Sequence, residues 1–230
     1  MPRIITVFDF DGVICDSAKK SLCLSEDILM EFFSKYGLTR EKAKEIAYNL
    51  YYVGGDIPKT MKKEFPIISY DDIRESMSEF DRRSRLEVYQ DCGLVDNIRD
   101  LIEKIYRSKR CEMYISSLTR EKIIKEFLEK HGLIQYFKQI MGQESGLKKN
   151  HIKKIRDLYD IEYYDDPQII FVTDAVADAL EDVEHVIGIV TDGNVTRMQS
   201  MILAGNKQRS CFVFPSVKRV NDHFESVAFF

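Results

Sequence analysis

The sequence has no basic excess, no paired-cysteine pattern and no long apolar run, and each absence excludes something. Lys and Arg total 34 against 38 Asp and Glu, a formal net charge of −4. A nucleic-acid binder ordinarily shows a basic surplus, so that class is not expected. The denser basic stretches, 82–85 and 148–154, read as solvated faces. The five cysteines (Cys15, Cys23, Cys92, Cys111 and Cys211) are odd in number and scattered, without a CxxC. That pattern argues against a disulfide framework or a zinc site and for reduced thiols in a cytosol. No apolar stretch approaches the roughly 20 residues that span a bilayer. Asp9 interrupts the one early apolar run, so no signal peptide is expected either. A soluble, cytoplasmic protein with no membrane partner is the expectation. No internal repeat and no low-complexity linker breaks the chain.

What is present is enough for a sizeable core: 44% hydrophobic and 31% charged residues in 230. That length allows one large domain, or a main domain with a smaller insert. The most informative stretch is 4–17, IITVFDFDGVICDS. Ile4, Ile5, Val7 and Phe8 form a β-branched apolar run, the pattern of a strand buried on both faces. Asp9 and Asp11 follow, one residue apart, and then Gly12. Two acids at the end of a buried strand are costly without a cation or a proton. A bound divalent metal is the simplest remedy, and oxygen ligands of this kind suit magnesium.

Helical periodicity then runs through 21–33, 40–52, 60–65 and 70–89, with Thr39 placed to cap the second of these. Gly54, Gly55 and Pro58 mark a loop between them. The segment from about 18 to 91 holds no convincing strand. Beyond it the character changes. Helices are expected at 98–107, 120–131 (closed by Gly132), 151–159, 175–182 and 195–204. Strands are expected at 112–115, 137–141, 168–172, 186–191 and 210–214. This alternation predicts a doubly wound α/β fold: a parallel, Rossmann-like sheet with helices on both faces. The predicted core is 1–15 with 92–230, interrupted by an all-helical insert at 16–91.

Ligands in such sheets bind beyond the carboxyl ends of the strands. Three of the expected strand ends carry chemistry-bearing residues: Asp9 and Asp11, then Ser116 and Ser117, then Asp174 with Asp178 four residues on. Acids, hydroxyls and loop amides at one sheet edge are the parts of a site for a metal and a phosphate.

These residues resemble, in order, the four motifs of the haloacid dehalogenase-like hydrolases, in the phosphoglycolate phosphatase-like branch. The first is the apolar strand with DxDGV followed by Asp16 and Ser17. The second is the strand-end serine, Ser116, with Ser117 beside it. The third is a lysine before a helix, Lys148. The fourth is the acid pair Asp174 and Asp178 after an apolar strand. The likeness covers essentially the whole chain, and the helical insert is similar to that branch's cap domain. Two positions depart from the pattern. Thr173 stands where glycine is common, and Lys148-Lys149-Asn150 replaces lysine-proline, which leaves Lys149 as a second candidate.

The resemblance implies a magnesium-dependent phosphatase acting on a small phosphomonoester, phosphoglycolate-like or a sugar phosphate. Asp9 is the implied nucleophile and Asp11 the implied acid and base. Ser116, Ser117 and Lys148 are implied to hold the phosphate. Asp9, Asp11 and Asp174 are implied to bind the metal, with Asp178 close by. The cap is expected to set specificity, through a loop at Gly54-Gly55 with Lys59 and through Arg82, Arg83 and Arg85. Two alternatives share the fold: a non-enzymatic phosphate- or partner-binding protein, and a phosphoglucomutase-like phosphotransferase. The oligomeric state is not legible.

Overall fold

The computed structural model describes residues 4–53, 57–160, 168–175, 183, 185–189 and 210–223. Gly54, Gly55, Asp178, and the helices expected at 175–182 (beyond Ala175) and 195–204, therefore lie outside the described residues. The chain divides into two compact units. One is Ser17–Gly93, and the other is formed by the chain that precedes and follows it.

The divided unit is built on six parallel strands: β1 (Ile4–Phe8), β2 (Cys111–Ser116), β3 (Gln139–Met141), β4 (Gln168–Thr173), β5 (His185–Ile189) and β6 (Ser210–Phe214). Their order in the sheet is β3-β2-β1-β4-β5-β6. Every pairing is parallel, with Phe8 beside Ile115 on one side and beside Val172 on the other. The chain thus winds outward from β1 in one direction, then returns and winds outward in the other. The switch point, where such sheets open a crevice for ligands, lies beside β1.

Side chains alternate across the sheet. On one face Ile5 and Val7 join Tyr114, Phe171, Ile152 and Ile155 in one buried cluster. The last two come from α7 (Lys148–Leu158). Toward the other face, Phe8 meets the ring of Phe137 edge-on at 6.0 Å. Phe10 meets Phe127 of α6 (Glu121–Lys130) in the same way at 5.3 Å. Burial on both sides explains why β1 reads as a continuous apolar run. A helix α5 (Ile98–Ser108) packs on β2, and a further helix, which the sequence did not announce, follows β6 at Val217–His223.

Ser17–Gly93 holds α1 (Ala18–Phe33), α2 (Arg40–Tyr48), α3 (Ile57–Glu64) and α4 (Tyr70–Arg83), and among its described residues there is no strand. Phe33, Leu38, Ile46, Met61 and Ile73 form its core. Thr39 does cap α2, its hydroxyl accepting from Lys42 N at 3.3 Å, and Ser69 caps α4 through Asp72 N at 3.0 Å. The helices expected at 40–52 and 70–89 each give way to a π-helical turn, at Asn49–Val53 and Ser84–Tyr89. No described helix is long and apolar enough to cross a membrane.

At the edge of the sheet the Tyr114 and Tyr159 hydroxyls lie 2.5 Å apart. Glu112 accepts from Tyr159 and from Lys138. Burial first pushes both phenols up; the hydrogen bond to Glu112 adds to this for Tyr159, which rises to about 12, and the hydrogen bond with Tyr159 adds to it for Tyr114, which rises further. A phenol that keeps its proton longer in the folded state makes folding stability fall as pH rises above its unfolded value of about 10. In a spectrophotometric titration of the folded protein, Tyr114 and Tyr159 are expected to ionise in a late phase, above the ordinary phenol range. Each should disappear from the late phase in its Phe variant. A single ordinary transition for all twelve tyrosines in a protein that stays folded would contradict this.

Candidate active site

The sequence builds the site by stopping β1 on an acid. Asp9 carries the sheet one residue further, its N–H donating to Val172 O at 2.8 Å. Its carboxylate is buried, at 4% residue exposure. One oxygen, Oδ1, accepts from the Phe10 N–H at 2.7 Å. The other, Oδ2, takes the Lys148 ammonium at 2.8 Å. A close counter-charge offsets much of the cost of burying a carboxylate. Lys148 is the first residue of α7, which begins three residues earlier than its apolar periodicity suggests. Lys149, the neighbouring candidate, is exposed. The two lysines are therefore separated by the helix: about 100° of rotation sends one onto Asp9 and the other to the surface.

Beyond Asp9 the chain turns tightly. Phe10 O accepts from both Ile14 N and Cys15 N at 2.9 Å, and Gly12 N donates to Cys15 O at 2.8 Å. Gly12 sits at φ +71°, and a Cβ there would stand 1.9 Å from Asp174 Oδ2. That missing side chain is what lets the end of β4 press its buried carboxylate against the turn after β1. Asp174 is 7% exposed. Its neighbour Thr173 does not leave the space a glycine would. Its hydroxyl accepts from Ala175 N at 3.0 Å and so shapes the turn that carries Asp174.

Asp11 is half-buried, and its Oδ2 accepts from the Thr119 hydroxyl at 2.6 Å. Thr119 is held in turn by Ser117, whose hydroxyl accepts from Thr119 N at 3.0 Å. Ser117 thus organises the loop after β2. Ser116 is fully enclosed, its Oγ 2.9 Å from Nδ1 of the equally enclosed His151. The register puts Ser116 level with Asp9, one step beyond the Phe8 and Ile115 pair.

Asp9, Asp11, Asp174, Ser116, Ser117 and Lys148 therefore gather at the carboxyl edge of three adjacent strands, and Asp178 lies outside the described residues. Thr119 and His151 were not anticipated. The signal for His151 was a polar residue on the buried face of α7, hidden because the helix was expected to begin at that residue. Thr119 left no signal, since only the folded loop brings it to Asp11.

The donors that face this edge are oxygens, the set that suits magnesium. The gap at Gly12, kept against a carboxylate, fits a site made for a cation between β1 and β4. Among the described residues no three His, Cys, Asp or Glu side chains close into a metal cage by themselves. In the helical unit, two of the three arginines expected to bind substrate already have partners. Arg82 pairs with Glu79 at 2.6 Å, and Arg83 with Glu87 at 2.7 Å.

A family model described as haloacid dehalogenase-like hydrolase matches residues 6–181. No curated protein matches the sequence. Similar solved structures include a predicted phosphatase from Clostridium acetobutylicum, at 16% identity and TM-score 0.67 over 99% of this chain and 100% of that one. A hydrolase of the haloacid dehalogenase-like family from Streptococcus pneumoniae aligns at 16% identity and TM-score 0.66, covering 96% and 97%. A candidate β-phosphoglucomutase from Bacteroides vulgatus aligns at 13% and TM-score 0.71, covering 99% and 89%. At these identities the structural likeness carries the fold.

Proposed function

Since the chain belongs to the haloacid dehalogenase-like hydrolases, we propose that it hydrolyses a small phosphomonoester through an aspartyl-phosphate on Asp9. The observation that carries this reading is the buried Asp9 carboxylate at the switch point of the sheet, with Lys148 Nζ 2.8 Å away. An Asp9 oxygen attacks phosphorus as the bond from phosphorus to the ester oxygen breaks. Asp11 gives the leaving oxygen its proton. Water then attacks phosphorus, Asp11 takes the water's proton, and the bond to Asp9 breaks to release inorganic phosphate. Thr119 holds Asp11 in place for both transfers. Lys148, Ser116 and Ser117 hold the phosphoryl oxygens and offset their charge as the transition state forms.

Asp9, Asp174 and the backbone carbonyl of Asp11 would hold a magnesium ion, with Asp178 close by. When bound, the ion screens the repulsion between carboxylate and phosphate dianion. Phosphoglycolate-like esters and sugar phosphates are the proposed substrates.

The test is phosphate release from an aryl phosphate and from a panel of small phosphate esters, with magnesium and with EDTA. Magnesium-dependent release is expected. No release from any ester by the folded protein would overturn the reading in favour of a binding protein. Interconversion of sugar phosphates without free phosphate would replace hydrolysis by phosphoryl transfer within the same site. The two lysines give a sharper expectation. Lys148→Ala should lower kcat/KM by about 100-fold, the scale for losing one charge-stabilising donor. Lys149→Ala should leave it within about threefold. Reversed effects would contradict the assignment of Lys148.

A further inference from the structure

We propose that His151 is a positioning residue, which aims the hydroxyl of Ser116 at the phosphoryl group. The proposal rests on the phosphatase reading of this site. Both residues are 0% exposed, and Ser116 Oγ lies 2.9 Å from His151 Nδ1. α7 carries Lys148 and His151 three positions apart, on neighbouring rows of its surface. The helix that brings an ammonium to Asp9 therefore also brings an imidazole to Ser116.

The direction of the hydrogen bond decides what it does. Burial pushes the His151 imidazole down from its ordinary value. Lys154 and Lys148 push the same way, and the backbone of Gly146 and Gly142 pulls partly back. The ring is then neutral near pH 7 and has one N–H to place. Among the described residues its Nε2 meets no partner at ordinary hydrogen-bond distance and angle, although the Gly146 and Gly142 backbone lies close enough to the ring to favour its protonated form. An N–H is worth more at Nδ1, where the serine oxygen receives it. Ser116 then accepts from His151, and its own single proton is left to donate to an anionic oxygen. With no imidazole at 151, the hydroxyl is free to turn away or to donate elsewhere. His151 touches neither substrate nor reacting atoms, so its effect passes entirely through Ser116.

The experiment is a mutant cycle read by kcat/KM for an aryl phosphate and by competitive inhibition with inorganic phosphate. It compares wild type, His151→Leu, His151→Asn, Ser116→Ala and the Ser116→Ala/His151→Leu double variant. Circular dichroism checks that each is folded. His151→Leu keeps the buried volume and removes the N–H. It should lower kcat/KM by about 10- to 100-fold, as loss of an orienting partner does elsewhere, and weaken phosphate inhibition in step. His151→Asn, whose amide can place an N–H near the position of Nδ1, should recover most of both. In the Ser116→Ala background the Leu substitution should cost about twofold or less.

Equal costs in the two backgrounds would mean a merely structural histidine and would overturn the proposal. So would a folded His151→Leu protein as active as wild type. Should the Leu variant not fold, nitrogen NMR of wild type decides: a proton on Nδ1 supports the proposal and a proton on Nε2 overturns it. A folded wild type that neither releases nor binds phosphate overturns the phosphatase reading itself, and this inference with it. An active wild type indifferent to His151 overturns this inference alone.

Discussion

Asp9→Asn is expected to abolish turnover, by a factor on the order of 10,000 or more, the scale on which removing a covalent nucleophile acts. The substitution is nearly isosteric. Asn can still accept the Phe10 N–H that Asp9 Oδ1 takes at 2.7 Å. What it loses is the nucleophilic charge, and with it the partner of Lys148. Breaking a buried pair costs about 3–5 kcal/mol when the remaining charge has no route to water. The Lys148 side chain is 13% exposed and can reach outward, so the cost should fall below that range. This separates two effects that a single variant would confuse. Asp9→Asn/Lys148→Met should regain thermal stability and remain inactive. Steady-state kinetics and thermal melts of the two proteins read the result. Activity in either would contradict a nucleophilic Asp9.

Gly12→Ala should also damage turnover, by a smaller factor and for a steric reason. The position has φ +71°, where an L side chain adds about 1–2 kcal/mol of strain. The new Cβ would also stand 1.9 Å from Asp174 Oδ2 and 2.6 Å from its Cγ. The turn cannot easily retreat, because Gly12 N is bonded to Cys15 O and Phe10 O receives two N–H groups. Asp174 must therefore move. A displacement of about 1 Å in a positioned group commonly costs about 100-fold in rate. Gly12→Ala is expected to fold, melt several degrees lower and lose at least about that factor in kcat/KM. Gly132→Ala is the control. It has φ +62° and nothing within 4 Å of an added Cβ, so it should lose a similar backbone term in stability and keep full activity. Equal activity in both variants would contradict the proposed closeness of Gly12 to a working Asp174.

The fold was legible wherever hydrophobic period alone decides. β1, β4 and β5 are buried on both faces, and their apolar runs say so directly. Helix starts were less legible, for a chemical reason. α1 begins after Ser17 and α7 after Leu147, and neither residue caps its helix with a side chain. The first turns are rich in lysine and carry no apolar spacing. The apolar spacing of α7 begins only at His151, so the place of that residue on the helix's buried face beside Ile152 is not legible from it. The acids were legible because paired carboxylates at the end of an apolar strand have few structural uses. Thr119 was not, since its role depends on a loop that the Ser117 hydroxyl folds back onto Asp11. The partners of Arg82 and Arg83 stood at helical spacing all along, three residues before and four after.

Hydrolysis by this route passes through a covalent bond between Asp9 and phosphorus. A single turnover in heavy-oxygen water, followed by mass spectrometry of the peptide that carries Asp9, tests it most directly. When a bound aspartyl-phosphate is cleaved by water attacking phosphorus, the heavy oxygen leaves with the phosphate. Quenching in acid before that step should therefore leave one phosphoryl group on the Asp9 peptide. After full turnover the carboxylate should be unlabelled and the released phosphate labelled once. Phosphate released at the same rate with no phosphoryl group ever found on Asp9 would rule out a nucleophilic Asp9.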